Sequence, residues 1–139
     1  MPIAFATTDS EISRCFPAVQ LLRPHLESTE FVARVRRQRP EGYRLVYLED
    51  GGEIRSVAGF RIQETLAWGR ILYVDDLVTA DADRSRGYGG QLFDWLVDHA
   101  RASGCEQLHL DSGVQRYAAH RFYLRKRMEI SSHHFSLKL

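Results

Sequence analysis

The residues of this chain best suited to hold an anion are Arg84-Ser85-Arg86-Gly87-Tyr88-Gly89-Gly90, between an apolar run and an amphipathic stretch. A helix beginning there would expose unpaired N–H groups and a partial positive charge, which suits a phosphate or pyrophosphate. Glycines at 87, 89 and 90 remove β-carbons that would hold an anion off the backbone, and Arg84 and Arg86 add positive charge at the rim. Two other phosphate loops fail on residue type. A Walker loop needs Lys-Ser or Lys-Thr after its second glycine, where Gly90-Gln91 stands. A dinucleotide fingerprint needs a glycine three residues after Gly89, where Leu92 stands, and it belongs to an early strand–helix–strand unit.

Upstream, Asp75 and Asp76 follow one another in an apolar strand. Consecutive strand residues point to opposite faces, so the two carboxylates are expected on opposite sides of a sheet. A carboxylate there is costly unless paired or solvated in a cleft. Each is therefore either an ion-pair partner for one of the arginines or a group that takes a proton or binds a cation. Asp111, closing the next strand, offers the same chemistry. His133-His134 has no third metal ligand in view, and His109 and His120 read as structural or solvent-facing, so no metal is expected. Cys15 and Cys105 lack metal-ligand spacing and are too few for a disulfide framework.

The elements that must position these groups follow from periodicity. Thr7-Thr8-Asp9-Ser10-Glu11 reads as a helix start, with Ile12, Phe16, Val19 and Leu22 inward and Pro24 as the stop. A second helix covers about Glu30 to Gln38, with Arg34, Arg36, Arg37 and Arg39 as a solvated face. From Tyr43 the period becomes two. Tyr43 to Leu48 is a strand, Glu49-Asp50-Gly51-Gly52 a hairpin turn, and Ile54, Ala58, Phe60 and Ile62 mark a half-buried strand. Ile71 to Thr79 forms a mostly buried strand. Leu92, Phe93, Leu96, Val97 and Ala100 recur at helical spacing before the stop at Ser103-Gly104. Leu108 to Asp111 is a strand, Ala119, Phe122 and Tyr123 share a helix face, and Phe135, Leu137 and Leu139 alternate into a last strand. The order ααβββαβαβ predicts an α/β (α+β) fold, a mixed, mostly antiparallel central sheet flanked by helices, with residues 1–139 as a single domain.

The bulk numbers exclude other classes. With 139 residues and 44% hydrophobic content the chain can bury one core, and a net charge of +1 gives no field directed at nucleic acid or membrane. No apolar run approaches the roughly 20 residues of a membrane span. The start lacks a basic segment followed by an apolar one, and the two cysteines fit a reducing compartment, so a cytoplasmic location is expected. The last strand, if exposed, would offer an edge for a homodimer.

Arg84-Ser85-Arg86-Gly87-Tyr88-Gly89 matches the Arg/Gln-x-x-Gly-x-Gly/Ala signature of the GNAT superfamily of N-acetyltransferases. The resemblance runs on through Leu92-Phe93 and back into Asp76-Leu77-Val78-Thr79. Ala119-His120-Arg121-Phe122-Tyr123 looks like the family's Ala-x-x-(apolar)-Tyr segment, and the whole chain has the length and element order of a minimal GNAT domain of the single-domain bacterial type. Two positions depart from the pattern: Arg116 stands where the family often has Asn, and Arg127-Met128 where it usually has Gly-Phe.

The resemblance implies acetyl-coenzyme A as co-substrate and direct transfer to a primary amine of a small molecule or a protein. Arg84, Ser85, Arg86, Gly87, Tyr88, Gly89 and Gly90 would hold the pyrophosphate. Leu77, Val78 and Thr79 would pair with the pantetheine arm, with the Val78 amide polarising the thioester carbonyl. Tyr123 would be the general acid that protonates the departing thiolate, and Asp75 or Asp76 would take the amine's proton directly or through water. Acidic residues near such a cleft suggest a cationic acceptor. The alternative is a catalytically silent acyl-CoA-binding or regulatory module that keeps the loop without the chemistry.

Overall fold

Thr8 starts the first helix by a reciprocal pair of bonds. Its hydroxyl accepts the Glu11 N–H at 3.2 Å, and the Glu11 carboxylate accepts the Thr8 N–H at 3.0 Å. The computed structural model describes residues 2–80 and 86–139, so Arg84 and Ser85 of the anion loop lie outside the described residues. The chain divides into two units, Met1–His109 and Leu110–Leu139.

In the first unit, α1 (Asp9–Leu22) buries Ile12, Cys15, Ala18 and Val19, and continues through Pro17. Helix α2 (Ser28–Gln38) buries Phe31 and Val35. A short 3-10 turn, Arg39–Glu41, ends at Gly42 in the left-handed region (φ 94°) and delivers the chain to β2 (Arg44–Asp50). Gly51 and Gly52, both at positive φ (63° and 78°), make the primed hairpin turn into β3 (Glu53–Thr65). Strand β4 (Gly69–Thr79) returns antiparallel to β3. Helix α3 (Tyr88–Ala102) then crosses to β5 (Gln107–Leu110).

The sheet order is β1-β2-β3-β4-β5, where β1 (Ile3–Phe5) pairs antiparallel with β2. The fold class is the one expected; two elements differ. Strand β1 is only three residues long, too short for period two to register. The expected last strand does not form: residues 126–139 have no regular structure, and Phe135, Leu137 and Leu139 are exposed.

Helices α1 and α2 pack Ile12, Val19, Phe31 and Val35 with Leu45, Val57 and Val78 in one core cluster. Helix α3 contributes Leu92, Phe93, Leu96 and Ala100 to the core, and its Trp95 and His99 rings meet Phe60 at 6.3 and 5.4 Å. Covered on both faces, β3 is buried without alternation from Ser56 to Phe60, where a half-buried pattern was expected. No helix among the described residues is long and apolar enough to cross a membrane.

In the second unit, α4 (Tyr117–Arg125) follows Arg116, which stands at its N-cap position.

Candidate active site

The two adjacent aspartates lie together rather than apart. Gly59 pairs with Asp76, but Phe60 pairs with Val74, so Asp75 is an extra residue bulged out of β4. The bulge shifts the side-chain alternation by one. Tyr73, opposite Arg61 on the ladder, therefore shares a face with both Asp75 and Asp76, and all three line one cleft of about 420 Å³. The expectation of opposite faces assumed an unbroken strand, and the bulge removes that assumption.

Arginines from two other elements hold the bulge. Arg61 donates from Nε to Asp75 Oδ2 at 2.9 Å and from Nη2 to Gln38 Oε1 at 2.7 Å, and its guanidinium lies 5.5 Å over the Tyr43 ring. Arg23, just past α1, donates from Nε to Asp76 Oδ1 at 3.0 Å and from Nη2 to the Asp75 carbonyl at 2.9 Å. The Tyr43 hydroxyl donates to Asp76 Oδ2 at 2.8 Å. Both Asp76 oxygens are thus engaged, whereas Asp75 Oδ1 is buried with no hydrogen-bond partner among the described residues. Burial lifts the Asp75 carboxyl above its ordinary range, opposed by the Arg61 hydrogen bond. Burial, and then the charge of Asp76, holds the Tyr43 phenol far above its usual value.

Past the bulge, Leu77, Val78 and Thr79 complete β4, with Val78 buried and paired with Val57. The Ser56 hydroxyl donates to the Val78 carbonyl at 2.9 Å and lies 3.2 Å from Thr79 Oγ1. Strand β5 has four residues against the eleven of β4, and the Glu106 N–H reaches the Arg70 carbonyl, so β5 starts beside the beginning of β4. Four residues cannot follow β4 to its end.

Helix α3 begins there. Gly87 occupies the N-cap in the left-handed region (φ 81°), no side chain among the described residues caps the helix, and its first turn carries no acid. The first intrahelical bond runs from the Gln91 N–H to the Gly87 carbonyl at 3.0 Å, so the N–H groups of Tyr88, Gly89 and Gly90 precede the ladder. A β-carbon on Gly89 would stand 2.8 Å from Thr79 Oγ1, so this glycine is what lets the helix start press on the strand end. Tyr88 turns its side chain inward and donates to Asp50 Oδ2 at 2.7 Å, and its hydroxyl also shares a hydrogen bond with the Arg86 side chain. Arg86 is exposed.

In the second unit Tyr123 is partly buried on α4. Burial raises its phenol above the usual value, while the charge and hydrogen bond of Arg116 pull it down. The residue that replaces the family's asparagine thus touches the proposed acid. Asp111 lies 3.4 Å from His134 Nδ1, and His120 Nε2 lies 2.7 Å from the Gly113 carbonyl. No group of three or more His, Cys, Asp or Glu side chains that could hold a metal occurs among the described residues.

Sequence reasoning missed Tyr43, Gly59, Arg23 and Arg61 as site residues. One signal was available, a lone glycine inside a strand, which marks a bulge or a close approach. The arginine face of α2 also divides. Arg36 pairs with Asp9, Arg39 binds the carbonyls of Ala6 and Thr7, and Arg34 lines the cleft.

Known proteins agree with this architecture. A match to the acetyltransferase (GNAT) family spans residues 6–128. The chain is 35% identical over 121 residues to a protein of Bacillus subtilis (strain 168) named uncharacterized N-acetyltransferase YhdJ, covering 86% of this chain and 85% of that one. Among solved structures, a transcriptional regulator from Bacillus halodurans C-125 superposes with a TM-score of 0.87 at 20% identity, covering 99% of each chain. The aminoglycoside N-acetyltransferase AAC(6')-Iy in complex with CoA superposes with a TM-score of 0.83 at 10% identity, covering 99% of this chain and 95% of that one. The structural likenesses speak for the fold, and the family match speaks for the class of enzyme: the chain belongs to the acetyltransferase (GNAT) family and is an acyltransferase.

Proposed function

We propose that this enzyme transfers an acetyl group from acetyl-coenzyme A to a primary amine of a small molecule or a protein, with residues 1–139 acting as one domain. The observation that carries the reading is the start of α3, uncapped by any side chain among the described residues and pressed through Gly89 onto the end of β4. Three N–H groups and the helix dipole meet an anion at that point. The N–H groups of Arg86 to Gly90 hold the pyrophosphate; Arg84 and Ser85, assigned to the same group by the sequence, lie outside the described residues. Leu77, Val78 and Thr79 pair with the pantetheine arm along the part of β4 that β5 does not reach. A β4 amide, that of Val78 foremost, polarises the thioester carbonyl and contributes roughly 3 kcal/mol to the transition state.

The amine attacks that carbonyl, its C–N bond forms, and the C–S bond breaks to release the coenzyme A thiolate. Asp75 is the better base of the two aspartates, because one of its oxygens has no partner among the described residues while both oxygens of Asp76 are bonded. It takes the ammonium proton directly or through water. Tyr123, a phenol that burial raises further above its usual value, gives the thiolate its proton.

The test follows free thiol with acetyl-coenzyme A over a panel of small amines and lysine peptides, alongside calorimetric binding of coenzyme A. Thiol release with at least one amine, reduced about 100-fold or more by Tyr123→Phe, is expected. Binding without release from any amine would leave a silent acyl-CoA module. A protein that does not bind coenzyme A would remove the α3 site from the account.

A further inference from the structure

We infer that the acceptor amine also carries an oxyanion, a phosphonate, phosphate or carboxylate, and that Arg34 reads it. The inference rests on the reading of the bulge cleft as the acceptor site.

The sequence pointed the other way, since two aspartates suggest a cationic acceptor. The charges that surround them reverse the sign. Three arginines line the cleft (Arg23, Arg34 and Arg61) against two aspartates, leaving one positive charge in excess. Arg23 and Arg61 are committed to Asp76 and Asp75 and carry the bulge between them. The carboxylates therefore present no unbalanced negative field to a polycation.

Arg34 is different. It lies on the same face of α2 as Phe31, Val35 and Gln38, all of which line the cleft. Phe31 and Val35 are anchored in the core, and Gln38 Nε2 donates to the Arg34 carbonyl at 3.2 Å while Gln38 Oε1 accepts from Arg61. The backbone beneath Arg34 is thus fixed to the bulge network. Its guanidinium has no ion pair or hydrogen bond among the described residues, and it is exposed at the cleft mouth. An unpaired guanidinium on a rigid helix face offers the planar fork that grips an oxyanion through two parallel bonds. With the amine delivered to Asp75, the same molecule would extend its anionic end toward α2.

The test compares four acceptors of one chain length: an aminoalkylphosphonate, the amino carboxylate, the plain alkylamine and the diamine. Each is assayed with acetyl-coenzyme A against wild type, Arg34→Gln and Arg37→Gln, the last removing the same charge from an exposed position outside the cleft. Wild type is expected to favour the anionic amines by about tenfold or more in kcat/KM, the worth of one charged bidentate contact. Arg34→Gln should raise KM for those two by about tenfold more than for the alkylamine, and Arg37→Gln should not. The ranking of phosphonate against carboxylate identifies the oxyanion. Preference for the diamine, or equal losses across all four acceptors in Arg34→Gln, would overturn the inference. Should no amine release thiol, the proposed transfer falls, and calorimetric binding of the same four compounds decides the ligand class. Binding of the anionic amines that Arg34→Gln abolishes sustains it; binding without discrimination refutes it.

Discussion

The hydroxyl of Tyr43 lies where a β-carbon on residue 59 would stand, so Gly59 is what gives Tyr43 its bond to Asp76. Gly59 sits within β3 and Tyr43 immediately before β2, and the empty space above Gly59 is filled by a phenol that anchors the bulge from below. Arg61 then covers the other side of the Tyr43 ring and reaches Asp75.

Gly59→Ala should therefore displace Tyr43 and unsettle both carboxylates. A buried overlap of this kind costs about 1–3 kcal/mol. Tyr43→Phe should cost a similar 1–3 kcal/mol for a different reason, because it leaves Asp76 Oδ2 without its donor. Urea unfolding of the two single variants and the double variant checks this. The losses should be less than additive, since both changes break the same contact.

Asp75 should set the acidic limb of activity. Its carboxyl lies above the ordinary range because it is buried, so the rate should fall with decreasing pH at a point higher than an exposed aspartate would give. Asp75→Asn should lower kcat by about 10²–10⁴-fold and abolish that limb. A pH profile in which the variant keeps the same limb at a reduced rate would assign the proton transfer elsewhere.

Most of the frame was legible because it rests on local rules. The α1 capping signal at Thr8, the glycine pair at 51 and 52 and the helical spacing of Leu92, Leu96 and Ala100 each act within a few residues. The cleft was not legible, because it depends on register. Whether Asp75 and Asp76 face apart or together is decided by one extra residue on β4 opposite Gly59 and Phe60, and nothing within the Asp-Asp pair announces it. Arg34 is a similar case. It resembles Arg36 and Arg37 in sequence, and only the docking of Phe31 and Val35 against the sheet turns it toward the cleft. The last strand failed for the opposite reason: Phe135, Leu137 and Leu139 alternate correctly but remain exposed.

The α1 cap should be sensitive to acid. The backbone N–H groups of Thr8 and Thr7 hold the Glu11 carboxyl at about 2, against an ordinary 4.5. A lowered folded value means that the stabilisation is full above 4.5 and is lost as pH falls toward 2. The gap in urea midpoint between wild type and Glu11→Gln should thus be constant near neutrality and close across that interval. A gap that stays open at the acid end would mean that the charge of Glu11 is not what holds the cap.

The two thiols should differ in the unmodified protein. Cys15 is fully buried in α1, and burial pushes its thiol up to about 12, whereas Cys105 is partly exposed. A disulfide reagent at mildly alkaline pH should titrate one thiol quickly and the second only on unfolding. This fixes the background against which released coenzyme A is read. Rapid reaction of both thiols would mean that α1 opens on the timescale of the assay.

Helices α3 and α4 end in the same motif with different residues at its critical position. In α3 the Cys105 N–H reaches the Ala100 carbonyl at 2.9 Å and the Gly104 N–H reaches Arg101 at 3.1 Å, with Gly104 at φ 77°. In α4 the Met128 N–H reaches the Tyr123 carbonyl at 3.1 Å and the Arg127 N–H reaches Leu124 at 3.0 Å, but the left-handed residue is Arg127, at φ 67°. Both are Schellman caps, and the position favours glycine because a β-carbon there crowds the backbone. The left-handed conformation costs a residue with a side chain about 1 kcal/mol. Arg127→Gly should recover roughly that amount, less the added freedom that glycine brings to the unfolded chain. Arg127→Ala keeps the β-carbon while removing the charge, so it should recover none of it. A rise in urea midpoint for the glycine variant alone places the strain in the backbone. Equal rises in both would trace it to the arginine side chain.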